Sequence, residues 1–387
     1  MKSNKSQHPL ALIELCRHFL ASGHGSPATV TWLAQRLLAA DDQAVAGALE
    51  ALVSEAAVKA PSERAGVLSL TVAGEPLTRS ARMPVDRETA SPLATIVYEK
   101  QLPSTPPVLP RELMRALDAF VLEWRRADEL ARVGIAPANS CLLYGEPGTG
   151  KTQLALWLSG QLGLPVILAR LDGLMSSFLG TTSRNIGNLF AFANRHRAVL
   201  LLDEFDAIAK LRDDPNEIGE IKRVVNTLLQ NIDERKGCGI TIGITNHPQL
   251  LDPAIWRRFE MQIAISVPEA DARQIIVKRN LEPLVFGDAE VRFISWVMDG
   301  ASGAEIEDFV RSLKKSLILI EGVQSIVKRL RGLAFIHAAR IKPLALDALK
   351  LSDRSLARAL NSDYNFSITE LAQLFRVNRT TISRWIT

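Results

Sequence analysis

Apolar residues recur with different spacings along the chain and divide its 387 residues into segments of different kinds. Over residues 1–75 they recur at helical spacing in three stretches, and a short two-stranded ribbon follows. This order predicts an N-terminal domain that is either a winged helix or a helical docking domain without a role in DNA binding. Prolines recur among small and polar residues over 76–110. Because proline fixes φ and removes a backbone donor, this stretch is predicted to be an extended linker.

Short apolar runs alternate with helical patterns between residues 111 and 268. We predict helices over 113–130, 153–162, 184–195 and 218–234, and strands over 141–144, 166–169, 198–202, 240–245 and 261–266. Alternation of this kind predicts an α/β domain whose mainly parallel sheet is covered by helices. Helical patterns fill the rest of the chain and predict a helical lid and extension over 269–345 and a separate C-terminal unit over 346–387.

A glycine-rich segment lies between the first predicted strand of this domain and the helix after it. Its sequence, GEPGTGKT, fits the P-loop pattern G-x-x-x-x-G-K-[ST], so the expected fold is an α/β P-loop NTPase. The glycines let backbone N–H groups and the helix N-terminus approach phosphates. We expect the Lys151 ammonium to reach the β- and γ-phosphates of ATP and the Thr152 hydroxyl to bind Mg²⁺. The predicted nucleotide-binding residues of this loop are Gly145, Glu146, Pro147, Gly148, Thr149, Gly150, Lys151 and Thr152.

Two later predicted strands end in polar residues. The apolar run AVLLL is followed directly by Asp203 and Glu204, and the run GIT is followed by Asn246. We expect Asp203 to hold Mg²⁺ through water and Glu204 to act as the base that polarises the attacking water. In a parallel sheet Asn246 would lie beside the P-loop, where its amide would orient that water or contact the γ-phosphate.

Four segments occur in order along the chain: GEPGTGKT, AVLLLDEFDAIAK, GITNHPQLLDPAIWRRFEMQI and GASGAEIEDFV. Together they resemble the core AAA clade of the AAA+ ATPases, and the phrase LGTTSRNIGNLFAFA is similar to bacterial stand-alone AAA ATPases. The resemblance covers roughly residues 108–320. It implies hydrolysis of ATP with Mg²⁺ by a homo-oligomeric ring, a hexamer. Glu146 stands where the clade usually has proline, which changes the surface of the loop without removing phosphate binding.

The resemblance also implies roles for residues beyond the P-loop. Arg257 and Arg258 match the arginine fingers that project into the site of a neighbouring subunit, where a permanently charged guanidinium meets phosphate charge. The alternative for one of the pair is a local salt bridge. Ala304 lies in the lid segment that packs against the adenosine, and this segment lacks a sensor arginine, as it does in the core clade.

An aromatic–aliphatic–glycine triplet, Phe178-Leu179-Gly180, follows the second predicted strand of the α/β domain. It resembles the pore loop with which AAA unfoldases grip an extended polypeptide, although Phe178 packed in the subunit core is the alternative. Residues 212–217 are the candidate second pore loop. The resemblance implies a protein substrate. It also allows a separately encoded protease as partner, because the chain contains neither H-E-x-x-H nor G-x-S-x-G.

Residues 367–385 resemble a helix-turn-helix, with a supporting helix over 352–360. Arg376 stands where the turn usually has glycine, and Asn378 is placed to cap the second helix. A structural helical hairpin is the alternative to DNA binding. The predicted small core consists of Leu371, Phe375, Val377, Ile382 and Trp385. The residues expected to face the major groove of duplex DNA are Arg379, Thr380, Thr381, Ser383 and Arg384.

Basic residues are frequent between positions 311 and 350 and face few acidic neighbours in the sequence. They predict either contacts with DNA phosphates or a solvated helix face. The residues are Arg311, Lys314, Lys315, Lys328, Arg329, Arg331, Arg340, Lys342 and Lys350.

Overall composition adds exclusions rather than a function. The net charge of +4 is too small to indicate a nucleic-acid partner by itself. The chain has no secretory signal pattern and no apolar run near the roughly 20 residues that span a bilayer, so we expect a soluble cytoplasmic protein without a membrane partner. Cys16, Cys141 and Cys238 are widely spaced, which predicts reduced and mostly buried thiols.

Three hypotheses of function follow. The first is a ring-forming ATPase that remodels or threads a protein partner. The second is a DNA-bound ATPase in regulation, phage defence or mobile-element biology, anchored by the C-terminal helix-turn-helix. The third is a nucleotide-controlled binding module with little hydrolysis, which the presence of both Asp203 and Glu204 disfavours.

Overall fold

A computed structural model of the chain describes residues 74–171, 179–207, 218–235, 239–319 and 325–387. The predicted N-terminal domain lies almost entirely outside the described residues. So do Phe178, the candidate second pore loop at 212–217, and two of the cysteines, Cys16 and Cys238.

The centre of the described chain is a six-stranded sheet, whose strands are β2 (Thr95–Val97), β3 (Ser140–Tyr144), β4 (Val166–Arg170), β6 (Val199–Asp203), β7 (Thr241–Thr245) and β8 (Met261–Ala264). Their order across the sheet is β2-β4-β6-β7-β3-β8. Every neighbouring pair is parallel except β2 and β4, which are antiparallel. Two short strands, β1 (Glu75–Pro76) and β5 (His196–Arg197), pair separately. The prediction of a mainly parallel α/β fold is therefore confirmed.

Helices cover both faces of this sheet. Cys141 and Leu143 of β3 pack on one side with α1 (Arg111–Arg125) and α3 (Lys151–Gln161). Leu142 packs on the other side with α4 (Leu179–Arg195) and α5 (Ile218–Arg235). Side chains along a strand alternate between the faces, so a strand covered on both sides reads as a continuous apolar run. Burial also raises the pKa of the Cys141 thiol to about 12, which keeps it protonated.

The range 76–110, predicted as an extended linker, instead packs against the α/β domain. Its strand β2 extends the sheet, with Thr95 opposite Leu168 and Val97 opposite Val166. Leu77 and Leu93 are buried in the core that β4 and α4 share. The structure thus corrects the linker prediction. The physical reason is that the apolar residues from Leu93 to Val97 lie between the prolines and need no proline N–H for their pairing.

The remaining helices follow the sheet, from residue 270 onward. They are α7 (Ala270–Leu281), α8 (Asp288–Val297), α9 (Gly303–Leu319), α10 (Ile326–Ile336), α11 (Pro343–Lys350), α12 (Asp353–Ser362), α13 (Ile368–Phe375) and α14 (Arg379–Ile386). Two shorter helices, α2 (Ala127–Arg132) and α6 (Pro253–Trp256), belong to the α/β part. One apolar core runs from Val277 in α7 to Ile382 in α14, so the predicted lid and the predicted C-terminal unit share it. Among the described helices, none combines the length and apolar character that crossing a bilayer requires.

Candidate nucleotide-binding site

Three neighbouring strands of the sheet end at the same edge. Strand β7 pairs with β3 so that Thr245 lies opposite Tyr144, and with β6 so that Gly243 lies opposite Leu202. This arrangement brings the P-loop after β3 next to Asn246 after β7, and next to Asp203 at the end of β6. All three line one cavity of about 530 Å³. The order of the strands therefore determines the position of this cavity, at the edge where parallel α/β sheets bind ligands.

Most of the residues predicted for the nucleotide site line this cavity. The exceptions are Gly145 and Glu146, which lie at the start of the P-loop and contact Lys151 through their carbonyl oxygens. The predicted residues that line the cavity are Pro147, Gly148, Thr149, Gly150, Lys151, Thr152, Asp203, Glu204, Asn246 and Ala304.

The backbone of the P-loop takes conformations that favour glycine. Gly145, Gly148 and Gly150 have φ of 144°, 76° and 91°. Such positive values are costly for residues with a Cβ atom. Gly150 occupies the N-cap of α3, so the loop leads directly into the helix N-terminus. The N–H groups of the first helical turn therefore lie at the cavity, which suits an anionic ligand.

Lys151 is a buried cation at the base of the cavity, with a relative exposure of 5%. Its Nζ donates hydrogen bonds to the carbonyl oxygens of Gly145, at 2.8 Å, and Glu146, at 2.7 Å. Burial lowers the pKa of Lys151, and the carboxylates of Asp203, Asp206 and Glu146 oppose that shift. The Thr149 hydroxyl is a third, more distant acceptor at 3.5 Å. Because all three hydrogen-bond acceptors are neutral, an incoming phosphate would supply a charged acceptor that this ammonium lacks.

Thr152 and Asp203 place two oxygen ligands side by side. The Thr152 hydroxyl donates to Asp203 Oδ2 at 3.0 Å, and Asp203 Oδ1 accepts the backbone N–H of Glu204 at 2.8 Å. Mg²⁺ prefers oxygen ligands and is often held by one or two protein groups together with phosphates and water. The pair therefore fits Mg²⁺ bound along with a nucleotide. Within the described ranges, His, Cys, Asp and Glu form no cluster of three or more that would hold a metal ion.

Glu204 lies at the edge of the cavity in a strained conformation. Its φ of 56° is in the left-handed region, which non-glycine residues rarely adopt. Backbone outliers of this kind cluster at functional sites. Its carboxylate pairs with the Arg170 guanidinium, from the end of β4, at 3.1 Å. The strained backbone thus presents a carboxylate to the cavity while a cation from the neighbouring strand holds it.

A second carboxylate, which sequence reasoning missed, supports Asn246. Asp206 is 3% exposed and accepts hydrogen bonds from Thr245 Oγ1 at 3.1 Å and from the Asn246 backbone N–H at 3.4 Å. These bonds tie the end of β7 to the segment after β6. The available signal was the second acidic residue in the string DEFD.

The lid helix α9 begins directly above the P-loop. The Ala304 N–H donates to the Gly148 carbonyl oxygen at 3.0 Å. Ser302 caps the helix through a hydrogen bond from the Glu305 N–H, and its own N–H donates to the Glu305 carboxylate at 2.8 Å. A Cβ atom on Gly148 would lie 2.7 Å from Ser302 Oγ. Loop and lid are thus packed closely enough for a change in one to move the other.

The cavity also includes residues that no sequence pattern indicated. Pro107 and Val108 come from the segment predicted as a linker, and Ile276, Arg279 and Asn280 come from α7. Arg279 joins the two elements, because its guanidinium donates to the Pro106 carbonyl oxygen at 3.0 Å. Tertiary packing of α7 and the 76–110 segment brings these residues to the cavity, so no local spacing in the sequence could predict them. The other lining residues that were not predicted are Gln153, Ile244, Gly303 and Glu307.

Neither of the two predicted arginine fingers lines the cavity. Arg257 is exposed after α6. Arg258 forms an ion pair with Asp233 at 2.8 Å, so the alternative of a local salt bridge describes this residue. Of the pair, Arg257 is the more exposed.

The basic stretch between residues 311 and 350 is largely paired inside the chain. Arg331 contacts Asp353 at 2.6 Å, and Lys342 contacts Asp299 at 2.6 Å. The prediction that these residues face few acids is therefore wrong, because some acids come from positions distant in sequence and others lie three or four residues earlier on the same helix. The other pairs are Arg311 with Glu307 and Asp308, Arg340 with Asp308, and Lys350 with Asp347.

Comparison with known proteins agrees with this geometry. Residues 141–267 match the family model described as ATPase family associated with various cellular activities (AAA). An uncharacterized AAA family ATPase, y4kL, of Sinorhizobium fredii is 41% identical over 55% of this chain and 64% of its own length. Proteasome-activating nucleotidase 1 of Haloferax volcanii is 33% identical over 51% of each chain.

Among solved structures, the FIGL-1 AAA domain in complex with ADP aligns with a TM-score of 0.49 and 23% identity, over 64% of this chain and 89% of that one. The chain spans less than two thirds of the length of the curated relatives named above. The match to the family model covers the sheet, the P-loop, the Asp203–Glu204 pair and Asn246. The chain therefore contains an AAA ATPase domain.

Proposed function

We propose that this protein hydrolyses ATP to ADP and phosphate in the cavity at the edge of the sheet. The observation that carries the proposal is the combination of a buried ammonium on Lys151, the adjacent Thr152 and Asp203 oxygens, and the strained Glu204 carboxylate in one cavity. A site for binding alone would need the first two, whereas the carboxylate is the group that hydrolysis requires.

Each of these cavity residues has a different role in the proposed reaction. Lys151 and the N–H groups of the P-loop hold the phosphates, and Thr152 and Asp203 hold Mg²⁺, which when bound neutralises charge on the phosphate oxygens. Glu204 accepts a proton from the attacking water. Asn246, fixed by Asp206, orients that water. For Glu204 to act as base, its carboxylate exchanges Arg170 for the water as hydrogen-bond partner.

The proposal includes a homo-oligomeric ring, with a hexamer as the expected form. Arg257 would then complete the site of the next subunit, since it is exposed and lies outside the cavity of its own chain. A guanidinium is suited to this role because it stays charged and binds phosphate through two parallel donors. Arg258 supports the position of Arg257 through its ion pair with Asp233.

We further propose that the ring uses ATP to remodel or thread a protein. One relative is named a proteasome-activating nucleotidase, which associates that chain with a protease. Phe178 and Leu179 are the proposed pore-loop contacts, on the strength of the sequence resemblance. A separately encoded protease is a compatible partner.

Substitution of the proposed base tests hydrolysis. Glu204→Gln should keep ATP binding and lower the turnover rate by roughly 10²–10⁴-fold, because the amide cannot accept the proton. Glu307→Gln is the matched control, since Glu307 lines the same cavity from α9 and has no assigned role in the reaction. Turnover is followed as phosphate release. Equal losses in the two variants would refute the role given to Glu204.

The protein-remodelling part is tested separately. An unfolded protein should raise the ATPase rate of the wild type, and Phe178→Ala should abolish that stimulation while leaving the basal rate intact. Phe335→Ala is the control, because Phe335 is 90% exposed on α10. Stimulation that survives Phe178→Ala would contradict threading without affecting the proposal of hydrolysis.

A further inference from the structure

Helices α12, α13 and α14 contribute no residue to the nucleotide cavity. Helix α13 begins with a capping box formed by Ser367 and Glu370, and it ends at Arg376. Arg376 has φ 56° and ψ 47°, so it adopts the left-handed conformation that such a turn usually assigns to glycine. Asn378 occupies the N-cap of α14 without a capping hydrogen bond from its side chain. The short turn at 376–378 thus joins two helices in the manner of a helix-turn-helix.

The inner side of α14 is firmly packed. Ile382 is fully buried, and Trp385 meets Phe375 edge to face with ring centroids 5.6 Å apart. The Arg358 side chain on α12 donates to the Trp385 carbonyl oxygen at 2.6 Å, which satisfies a free acceptor at the end of α14. Helix α14 is therefore held by both preceding helices and cannot turn its outer face inward.

The outer side of α14 is exclusively polar and cationic. At 3.6 residues per turn, Arg379, Thr380, Ser383 and Arg384 occupy an arc of about 140°. All four are exposed. Thr381, which was also expected to face the groove, is partly buried and is not counted in this outer face. Helix α14 contains no acidic residue. The one acid of α13, Glu370, is neutralised by Arg292 at 2.7 Å.

The composition of this face selects the kind of partner. A helix face that docks on protein usually presents apolar anchors, and none of the four exposed residues is apolar. Guanidinium and hydroxyl groups are the donors that contact phosphates and base edges. With eight residues, α14 is about 12 Å long, which matches the roughly 12 Å width of the major groove.

We propose that α14 binds duplex DNA, with its outer face in the major groove and Arg379 and Arg384 as the principal contacts. Arg376 in the turn precedes the helix and is exposed on the approach to the backbone phosphates. The internally paired basic residues at 311–350 take no part. The DNA site is separate from the nucleotide cavity, so each can fail without the other.

Binding of the full chain to a fluorescein-labelled mixed-sequence duplex of about 30 base pairs tests the proposal. Fluorescence anisotropy is measured between about 50 and 200 mM KCl. The wild type should bind with an affinity that falls steeply with salt. Arg379→Ala combined with Arg384→Ala should weaken binding at least about tenfold and reduce the magnitude of the logarithmic salt slope by about 2.

The matched control combines Arg311→Ala with Lys350→Ala, which removes the same charge from internally paired surface residues. It should bind DNA as the wild type does, and the ATPase rate without DNA should be unchanged in both double variants. If the double variant unfolds, Thr380→Glu tests the same face instead. It places a negative charge there and should weaken DNA binding. Absent or salt-insensitive binding, or equal losses in variant and control, would overturn the proposal. A face that captures protein instead would leave DNA affinity unaffected by either change.

Discussion

At the scale of single residues, the nucleotide site depends on one buried charge. Lys151 is almost fully removed from solvent, yet the acceptors of its ammonium are neutral: two carbonyl oxygens at 2.7 and 2.8 Å and the Thr149 hydroxyl at 3.5 Å. Burial without a directly bonded anion costs free energy, which a bound phosphate would recover. The affinity for ATP is therefore expected to depend on this side chain more than on any other in the loop.

Lys151→Ala should lower ATP affinity at least about tenfold, because a hydrogen bond to a charged group contributes about 1.5–3 kcal/mol. Titration with a fluorescent ATP analogue measures the change. Lys278→Ala, which removes a lysine that is 71% exposed on α7, serves as the control and should bind normally. Unchanged affinity in Lys151→Ala would remove the basis for placing phosphates at this ammonium.

Asp86 has a structural role at the same scale. Hydrogen bonds from the Thr89 N–H and the Asn185 side chain lower its pKa, against an opposing effect of burial. A carboxyl group with a lowered folded-state pKa stabilises the fold above its unfolded pKa of about 3.9 and loses that effect as the pH falls through the lowered value.

Asp86→Ala should therefore lower the melting temperature at neutral pH, and the difference from wild type should shrink as the pH falls below about 4. Thermal unfolding followed by circular dichroism at several pH values gives this difference. Asp347→Ala is the control, because Asp347 is 71% exposed and forms an ion pair with Lys350, which is also exposed. A deficit that does not vary with pH would contradict the assignment to the carboxylate.

At the scale of elements, the site depends on contact between the P-loop and the start of α9. The Ala304 N–H bonds the Gly148 carbonyl oxygen, and the space beside Gly148 is filled by Ser302. Gly134 provides a natural comparison, since its φ is also 76° but nothing lies within 4 Å of an added Cβ. The two glycines separate backbone strain from the steric effect on the lid.

Gly148→Ala should reduce ATP affinity, because its methyl group displaces Ser302 and with it the N-terminus of α9. Gly134→Ala should carry only the cost of the left-handed backbone, of the order of 1 kcal/mol, and should bind ATP normally. Melting temperature and nucleotide titration on both variants distinguish the two effects. Equal losses of affinity would show that the lid contact does not matter for binding.

The elements also show what the sequence could and could not predict. Strands β3, β4, β6 and β7 were predictable because strands buried on both faces are uninterrupted apolar runs. Strand β2 was missed, since it has three residues and lies among prolines whose effect dominates the local pattern. The P-loop, Asp203 and Asn246 follow strands directly and so could be located. Arg279 and Pro107 reach the cavity through tertiary packing, which no local spacing encodes.

At the scale of the whole molecule, the proposed catalytic site is divided between two chains. The cavity contains the Lys151 ammonium, the proposed Mg²⁺ ligands and the proposed base, but it contains neither Arg257 nor Arg258. If Arg257 completes the neighbouring site, a chain without Lys151 still supplies the arginine that the site of its neighbour needs. The two defects then lie on different chains and can complement each other.

Mixing two inactive variants measures this division directly. Lys151→Ala and Arg257→Ala should each hydrolyse ATP very slowly when alone. An equal mixture, denatured and reassembled together, should recover about one quarter of the wild-type rate, because that share of interfaces pairs an intact cavity with an intact arginine in a randomly mixed ring. An active Arg257→Ala chain, or a mixture no faster than its components, would contradict the account of a site shared between subunits.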